Sequence, residues 1–224
     1  MGNIITTKGV KKGFPVSGGE TFWALKGVDL EIPEGELTIL KGRSGSGKTT
    51  LMNILSALDQ PTEGEVVFRE ENIAAYSERK REKLRRLQFG FVFQSVALIP
   101  MMSAYENVEF ALRLARYPGN RKERAEECLR LVGLGNRLNH MPQELSGGEQ
   151  QRVAIARAIA HKPKVVFADE PTAELDTNTG LQVIKIFKEL AASEGITIVL
   201  TTHDTELMKL GNKVYQLEEG ALIE

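Results

Sequence analysis

The residues Gly42, Arg43, Ser44, Gly45, Ser46, Gly47, Lys48, Thr49 and Thr50 follow one another directly. The first eight have the spacing Gly-x-x-x-x-Gly-Lys-Thr of a phosphate-binding loop. Glycines let the backbone wrap so that its N–H groups face phosphate oxygens, and a following helix adds the partial positive charge of its N-terminus. In such a loop Lys48 reaches the β- and γ-phosphates of a nucleoside triphosphate, and the Thr49 hydroxyl can hold Mg²⁺. A flexible Gly/Ser turn is the plain alternative. The apolar run Glu36 to Lys41 before the loop and the amphipathic stretch Thr50 to Leu58 after it argue against that. Gly45-x-Gly47 does not make a dinucleotide fingerprint, because position 50 is threonine.

Two further segments carry chemistry. Val165-Val166-Phe167-Ala168-Asp169-Glu170 reads as a buried strand ending in two carboxylates. Beside a phosphate loop, Asp169 would hold the metal through water and Glu170 would polarise an attacking water as general base. Leu145-Ser146-Gly147-Gly148-Glu149-Gln150-Gln151-Arg152 precedes an amphipathic helix, with Ser146 and Glu149 spaced as a capping box. A well-capped helix start explains it fully, yet a glycine-rich helix N-terminus is also an anion site.

These residues need a frame. Trp23 to Ile32, Glu65 to Phe68, Phe89 to Phe93, Val165 to Ala168, Ile196 to Thr201, Val214 to Leu217 and Ala221 to Ile223 read as strands, the last two as a hairpin around Glu218-Glu219-Gly220. Gly9 to Gly19, rich in Gly and Pro, reads as a loop between two early strands. Helical spacing covers Ser77 to Leu87, Ala104 to Arg116, Lys122 to Val132, Glu149 to Ala160 and about Gly180 to Ala192. Strands alternating with helices predict an α/β domain with a largely parallel sheet. The helical block from about Gln94 to His161 interrupts it as an inserted lobe.

The bulk numbers narrow the field. The 224 residues carry 29 Lys plus Arg against 30 Asp plus Glu, so no basic excess marks a nucleic-acid binder. The single Cys128 excludes an internal disulfide framework and a cysteine zinc cage, and fits a reducing, cytoplasmic setting. No run approaches a membrane span, and Met1 to Val10 has no apolar signal core. Any membrane part is expected from another chain.

Leu-Ser-Gly-Gly-Glu-Gln-Gln-Arg at 145–152 resembles the signature of ABC-family ATPases. With the phosphate loop upstream and Asp169-Glu170 downstream, the resemblance spans nearly the whole chain. It implies a P-loop NTPase (RecA-like) α/β core with an N-terminal antiparallel β subdomain and an inserted α-helical subdomain. Residues 1–224 would form one ABC ATPase domain, with the core lobe at 1–93 and 162–224 and the helical part at about 94–161. It implies ATP and Mg²⁺ as ligands, and two cassettes paired head to tail around two ATP. Ser146, Gly147 and Gly148 would then touch ATP bound by the partner cassette. Gln94 matches the Q-loop glutamine, near Mg²⁺ or the attacking water. His203 matches the switch histidine at the γ-phosphate. Leu175-Asp176 matches the end of the D-loop. Phe14 is the choice for stacking on adenine, with Phe22 or Trp23 as rivals. His140 and His161 read as structural.

Phe93 to Pro100, Tyr105-Glu106-Asn107-Val108 and Ala168 to Thr172 look like the lipoprotein-release, macrolide-export and antimicrobial-peptide-export ATPases. Ala173-Glu174 departs from the Gly-Asn often found in that group. The resemblance implies a membrane permease as partner, a peripheral place on the inner face of the cell membrane, and no nucleic acid. The apolar run Val96 to Met102 would receive a short permease helix or else pack the helical lobe. The charged run Arg79 to Arg86 reads as a solvated helix face. Rival readings are a regulator of a membrane-bound cell-wall enzyme complex, a soluble ABC ATPase, and an unrelated P-loop kinase.

Overall fold

Residues 2–223 are described in the computed structural model, and they build two sheets flanked by helices. In the first sheet β1 (Asn3–Pro15) lies antiparallel to β2 (Thr21–Pro33) and to β4 (Glu63–Phe68), which in turn pairs with β5 (Glu71–Asn72). The Gly9–Gly19 stretch is therefore mostly strand, not loop. Gly9, at φ +58°, sits where the β1–β2 register shifts between Thr7 and Val10. A bulge there bends the ladder without ending it. The reversal itself occupies only residues 16–20, closed by the Val16 N–H donating to the Glu20 carbonyl at 2.9 Å.

The second sheet has the order β10-β9-β3-β8-β7-β6. Its strands are β3 (Leu37–Lys41), β6 (Phe89–Val92), β7 (Val165–Asp169), β8 (Thr197–Thr202), β9 (Lys213–Glu218) and β10 (Ala221–Ile223). All neighbours are parallel except the β9–β10 hairpin. Strands covered on both faces read as continuous apolar runs, and every residue of β8 is buried. The pleat sends Val166, Ala168, Ile198 and Leu200 to one core and Val165, Phe167 and Val199 to the other. In the second core Phe89 meets both Phe68 and Phe167 edge to face, with ring centroids 5.1 Å apart.

Helix α1 (Lys48–Leu55) follows β3, and α2 (Glu78–Gln88) precedes β6. The charged α2 has no fully buried residue, as expected of a solvated helix. Between β6 and β7 come α3 (Ala104–Leu114), α4 (Arg121–Leu131) and α5 (Gly147–Ile159). α6 (Thr177–Glu194) and the short α7 (Thr205–Met208) complete the set. Among the described residues no helix is long and apolar enough to cross a membrane. Cys128 is buried in α4, and burial pushes its thiol up to about 12, so it stays neutral.

Arg124 ties α4 to the end of α5. It is 3% exposed; its Nε donates to the Ala160 carbonyl at 3.0 Å and its Nη2 to the Ile159 carbonyl at 3.2 Å, while Nη1 reaches Glu127 at 2.8 Å. The two carbonyls at the end of α5 gain a cationic donor, and the Ile159 carbonyl also accepts from the Lys162 N–H at 3.0 Å. Arg124→Met is expected to cost about 1–3 kcal/mol in urea unfolding, because the Ala160 carbonyl loses that donor and the Ile159 carbonyl keeps only one.

Candidate nucleotide-binding site

The parallel strands β3, β8 and β7 end on one edge of the sheet, and the loops leaving them form the site. From β3 the chain turns through Gly42–Gly47 into α1. Gly47 caps that helix at φ 103°, a left-handed conformation, and a Cβ there would lie 2.8 Å from the Ala24 carbonyl oxygen. Glycine alone meets both demands. α1 begins at Lys48, two residues earlier than the apolar spacing marks, and ends at Leu55. The N–H groups of its first turn therefore open toward the loop.

Lys48 is 6% exposed and folds back over that loop. Its Nζ donates to the carbonyls of Gly42 at 2.9 Å and Arg43 at 3.1 Å, and lies 3.6 Å from Glu170 Oε1. The other Glu170 oxygen is 3.4 Å from His203 Nδ1. Glu170 thus bridges the loop lysine from β3 and the histidine after β8. Its φ of +44° is unusual for a side-chain-bearing residue and costs on the order of 1 kcal/mol. Asp169, the last residue of β7, accepts from Thr49 Oγ1 at 3.1 Å through Oδ2. Ser46 Oγ is buried with no hydrogen-bond partner among the described residues, a polar atom inside the loop awaiting one.

A cleft of about 840 Å³ runs along this edge, and its walls include Phe14, Phe22, Arg43, Lys48, Gln94 and His203. Ser44, Gly45, Gly47, Thr49, Thr50 and Glu170 complete its phosphate end. Phe14 and Phe22 face each other across the β1–β2 hairpin as a register pair and are both partly exposed, 40% and 59%. Lys12 Nζ lies 5.4 Å from the Phe14 ring centroid. Of the aromatics that the sequence offers for stacking, Phe14 and its rival Phe22 both wall the cleft, whereas Trp23 does not line it. The sequence reading leaves out Thr201, whose buried hydroxyl contacts Asp169.

Ser146, Gly147 and Gly148 are not brought to this cleft. They line a separate one of about 280 Å³ with Glu174, Leu175 and Asp176, and the two clefts share no residue. The capping box is formed as expected: Ser146 Oγ accepts from the Glu149 N–H at 3.2 Å, and Glu149 Oε2 accepts from the Ser146 N–H at 2.9 Å. Across the cleft Asp176 caps α6, accepting from the Asn178 and Thr179 N–H groups at 3.0 and 3.1 Å.

The ABC transporter family model matches residues 25–173. The chain belongs to the ABC transporter family. It is 48% identical, over 90% of its own length and of the relative's, to the ABC transporter ATP-binding protein MJ1508 of Methanocaldococcus jannaschii. It is 45% identical to the macrolide export ATP-binding/permease protein MacB of Wolinella succinogenes, covering 98% of this chain but 34% of that larger one. Its fold superposes with TM-score 0.88, at 42% identity and over 98% and 97% of the two chains, on the dimeric cassette MJ0796 in a post-hydrolysis state with ADP and phosphate. This ABC cassette is accordingly an ATP-binding, ATP-hydrolysing transporter subunit with the P-loop NTPase fold, related to export-type cassettes.

The cassette carries one further concavity. A groove of about 580 Å³ lies between α2 and the inserted helices, walled by Leu58, Arg85, Phe93, Ala97, Leu114 and His161. Of the apolar run Val96–Met102 only Ala97 lines it; Leu98 packs on the core and Met101 is 86% exposed. The turn around Ala97, at φ +46°, aims the rest of the run elsewhere. His161 plays a structural part here, donating to the Phe89 carbonyl at 3.0 Å, and burial lowers its pKa.

The capping box makes a pH prediction. The Ser146 N–H holds the Glu149 carboxyl below its usual range, aided by Arg137. A lowered folded pKa stabilises the fold above the ordinary glutamate value and loses that stabilisation as pH falls through the lowered one. Glu149→Gln is therefore expected to be less stable than wild type near pH 7 by about 0.5–1 kcal/mol in denaturant melts. That gap should narrow as pH drops below about 4.3.

Proposed function

We propose that two copies of this cassette, or one copy and a related cassette, close head to tail over two ATP and drive a separate membrane permease of an export system. The observation that carries this reading is the division of the ATP machinery into two clefts on one chain. Most of the phosphate loop, Glu170 and His203 line one, and the capped glycine helix start of Ser146 sits in the other. A head-to-tail pair places each signature helix end on the other's phosphates, where its free N–H groups and dipole meet negative charge. The dimeric form of the relative MJ0796 agrees with this arrangement.

Within each site the residues divide the work. Gly42 to Thr50 wrap the phosphates, and Lys48 leaves its loop carbonyls to neutralise the β- and γ-oxygens. Thr49 and Asp169 present hard oxygens side by side, which suits Mg²⁺. Among the described residues no group of three or more His, Cys, Asp or Glu could cage a metal. Phosphates and water would therefore complete the Mg²⁺ shell, with Gln94 beside it. Bound there, Mg²⁺ supplies charge neutralisation for the transferred phosphoryl group. Glu170 accepts the proton of the attacking water, His203 holds the γ-phosphate, and Phe14 stacks on adenine. The groove walled by Phe93, Ala97 and Leu114 takes a short helix of the permease. Arg157, which donates to the Ala97 carbonyl at 2.7 Å and the Val96 carbonyl at 3.2 Å, links that groove to the signature helix. The cassette then works at the inner face of the cell membrane.

Glu170→Gln keeps the shape of the site and removes the base. ATP turnover is expected to fall at least about 100-fold, while sedimentation shows an ATP-dependent dimer that wild type hydrolyses away. Normal turnover in this variant would remove Glu170 from the base role; a monomer at saturating ATP would sink the paired site. Leu114→Glu in the groove should leave turnover of the isolated cassette unchanged and abolish co-purification with the permease.

A further inference from the structure

The two carboxylates of the site hang on one hydroxyl. Thr201 lies in β8 with no exposed surface, directly opposite Asp169 in the parallel β7–β8 register. Its Oγ1 donates to Asp169 Oδ1 at 2.6 Å and accepts from the Glu170 N–H at 2.8 Å. We propose that Thr201 is a positioning residue for hydrolysis: it orients the metal-side carboxylate of Asp169 and pins the backbone of Glu170 with the same atom. The proposal rests on the roles given above to Asp169 and Glu170, and assigns a third residue to that site.

The geometry separates the two oxygens of Asp169. Thr201 occupies Oδ1, which leaves Oδ2 turned to Thr49 on the metal side. Without the hydroxyl nothing else among the described residues is hydrogen-bonded to Oδ1 closer than the 3.5 Å contact of Thr49, so the carboxylate is free to rotate about its last torsion. The second bond acts on Glu170. That residue is in the left-handed region at φ +44°, where its N–H must find a partner off the strand ladder. Thr201 supplies it, and so helps hold the Glu170 carboxylate between Lys48 and His203. The neighbouring Thr202 does different work, accepting from the Asp204 N–H at 3.1 Å. Partners that orient metal ligands from outside the coordination shell typically tune affinity or activity by about 10–100-fold.

Sheet position provides a matched control. Thr38, on the adjacent strand β3, is equally buried, but its hydroxyl has no hydrogen-bond partner among the described residues. Valine is isosteric with threonine, so Thr38→Val and Thr201→Val make the same steric change in one sheet and differ only in the bonds lost.

The test uses the whole chain as Thr201→Val, Thr201→Ser, Thr38→Val and Glu170→Gln. Steady-state ATP turnover is measured, together with equilibrium binding of Mn²⁺ in the presence of ADP by electron paramagnetic resonance. Thr201→Val is expected to lower kcat about tenfold with KM for ATP within about twofold, and to weaken Mn²⁺ binding about tenfold. Thr201→Ser, which keeps both bonds, restores both to within about twofold, and Thr38→Val changes neither. If Thr201→Val does not accumulate as folded protein, Thr201→Ala is read the same way. The proposal is overturned if Thr201→Val matches wild type in kcat and Mn²⁺ affinity, if Thr201→Ser is as impaired as Thr201→Val, or if Thr38→Val is equally impaired. Full turnover by Glu170→Gln would instead overturn the site assignment on which the proposal stands.

Discussion

Everything at the nucleotide site depends on the parallel register of β3, β8 and β7. Parallel pairing puts the carboxyl ends of all three strands on one edge. Residues from positions 41, 169 and 202, far apart in the chain, then lie side by side at the ends of three successive strands of the sheet. A slip of one residue in β7 would turn Asp169 from Thr49 and Thr201 toward the opposite face. The register is secured from both sides at once, because alternate residues of each strand belong to different cores. The aromatic stack of Phe68, Phe89 and Phe167 pins the lower face, and Val166, Ala168 and Leu200 fill the upper one.

On that edge the charges are balanced before any ligand arrives. Lys48 is nearly buried, and a buried ammonium without partners is costly. Two loop carbonyls and the Glu170 carboxylate surround it. These contacts are the kind a phosphate can replace: the carbonyls hold the lysine weakly, whereas a triphosphate offers it several anionic oxygens. The backbone at Glu170 is held in a sparsely populated conformation, so the side chain is aimed by the fold and not by its own preference.

The remaining architecture transmits and completes. The antiparallel sheet contributes the aromatic pair Phe14 and Phe22 to one wall of the cleft. The inserted helices carry the second glycine helix start, and Arg124 ties α4 to the end of α5. Arg157 on the same helix holds the Ala97 turn beside the apolar groove. One helix thus has the capped glycine signature at its start and the groove contact near its end.

Much of this was legible in the sequence where the constraint is local. Gly47 before Lys48, the Ser146–Glu149 box and the apolar run into Asp169 each state a backbone need within a few residues, and the structure meets each as spaced. The alternation of strands and helices extended that reading to the α/β fold, and the family signature to the P-loop NTPase core. The early glycines misled, because Gly9 serves a bulge and a bulge looks like a loop from composition alone. The 96–102 run stayed open between groove and packing for a related reason: apolar character does not say which way a turn at Ala97 points each side chain, and the structure divides the run, with Ala97 on the groove and Leu98 on the core. Tertiary structure alone decided the separation of the two glycine helix starts into different clefts, the bridge from Lys48 through Glu170 to His203, and the place of Thr201 opposite Asp169. The physical reason is the same in each case. Local conformation is set by neighbours along the chain, whereas these contacts join residues 31 to 122 positions apart, and only strand register brings them together.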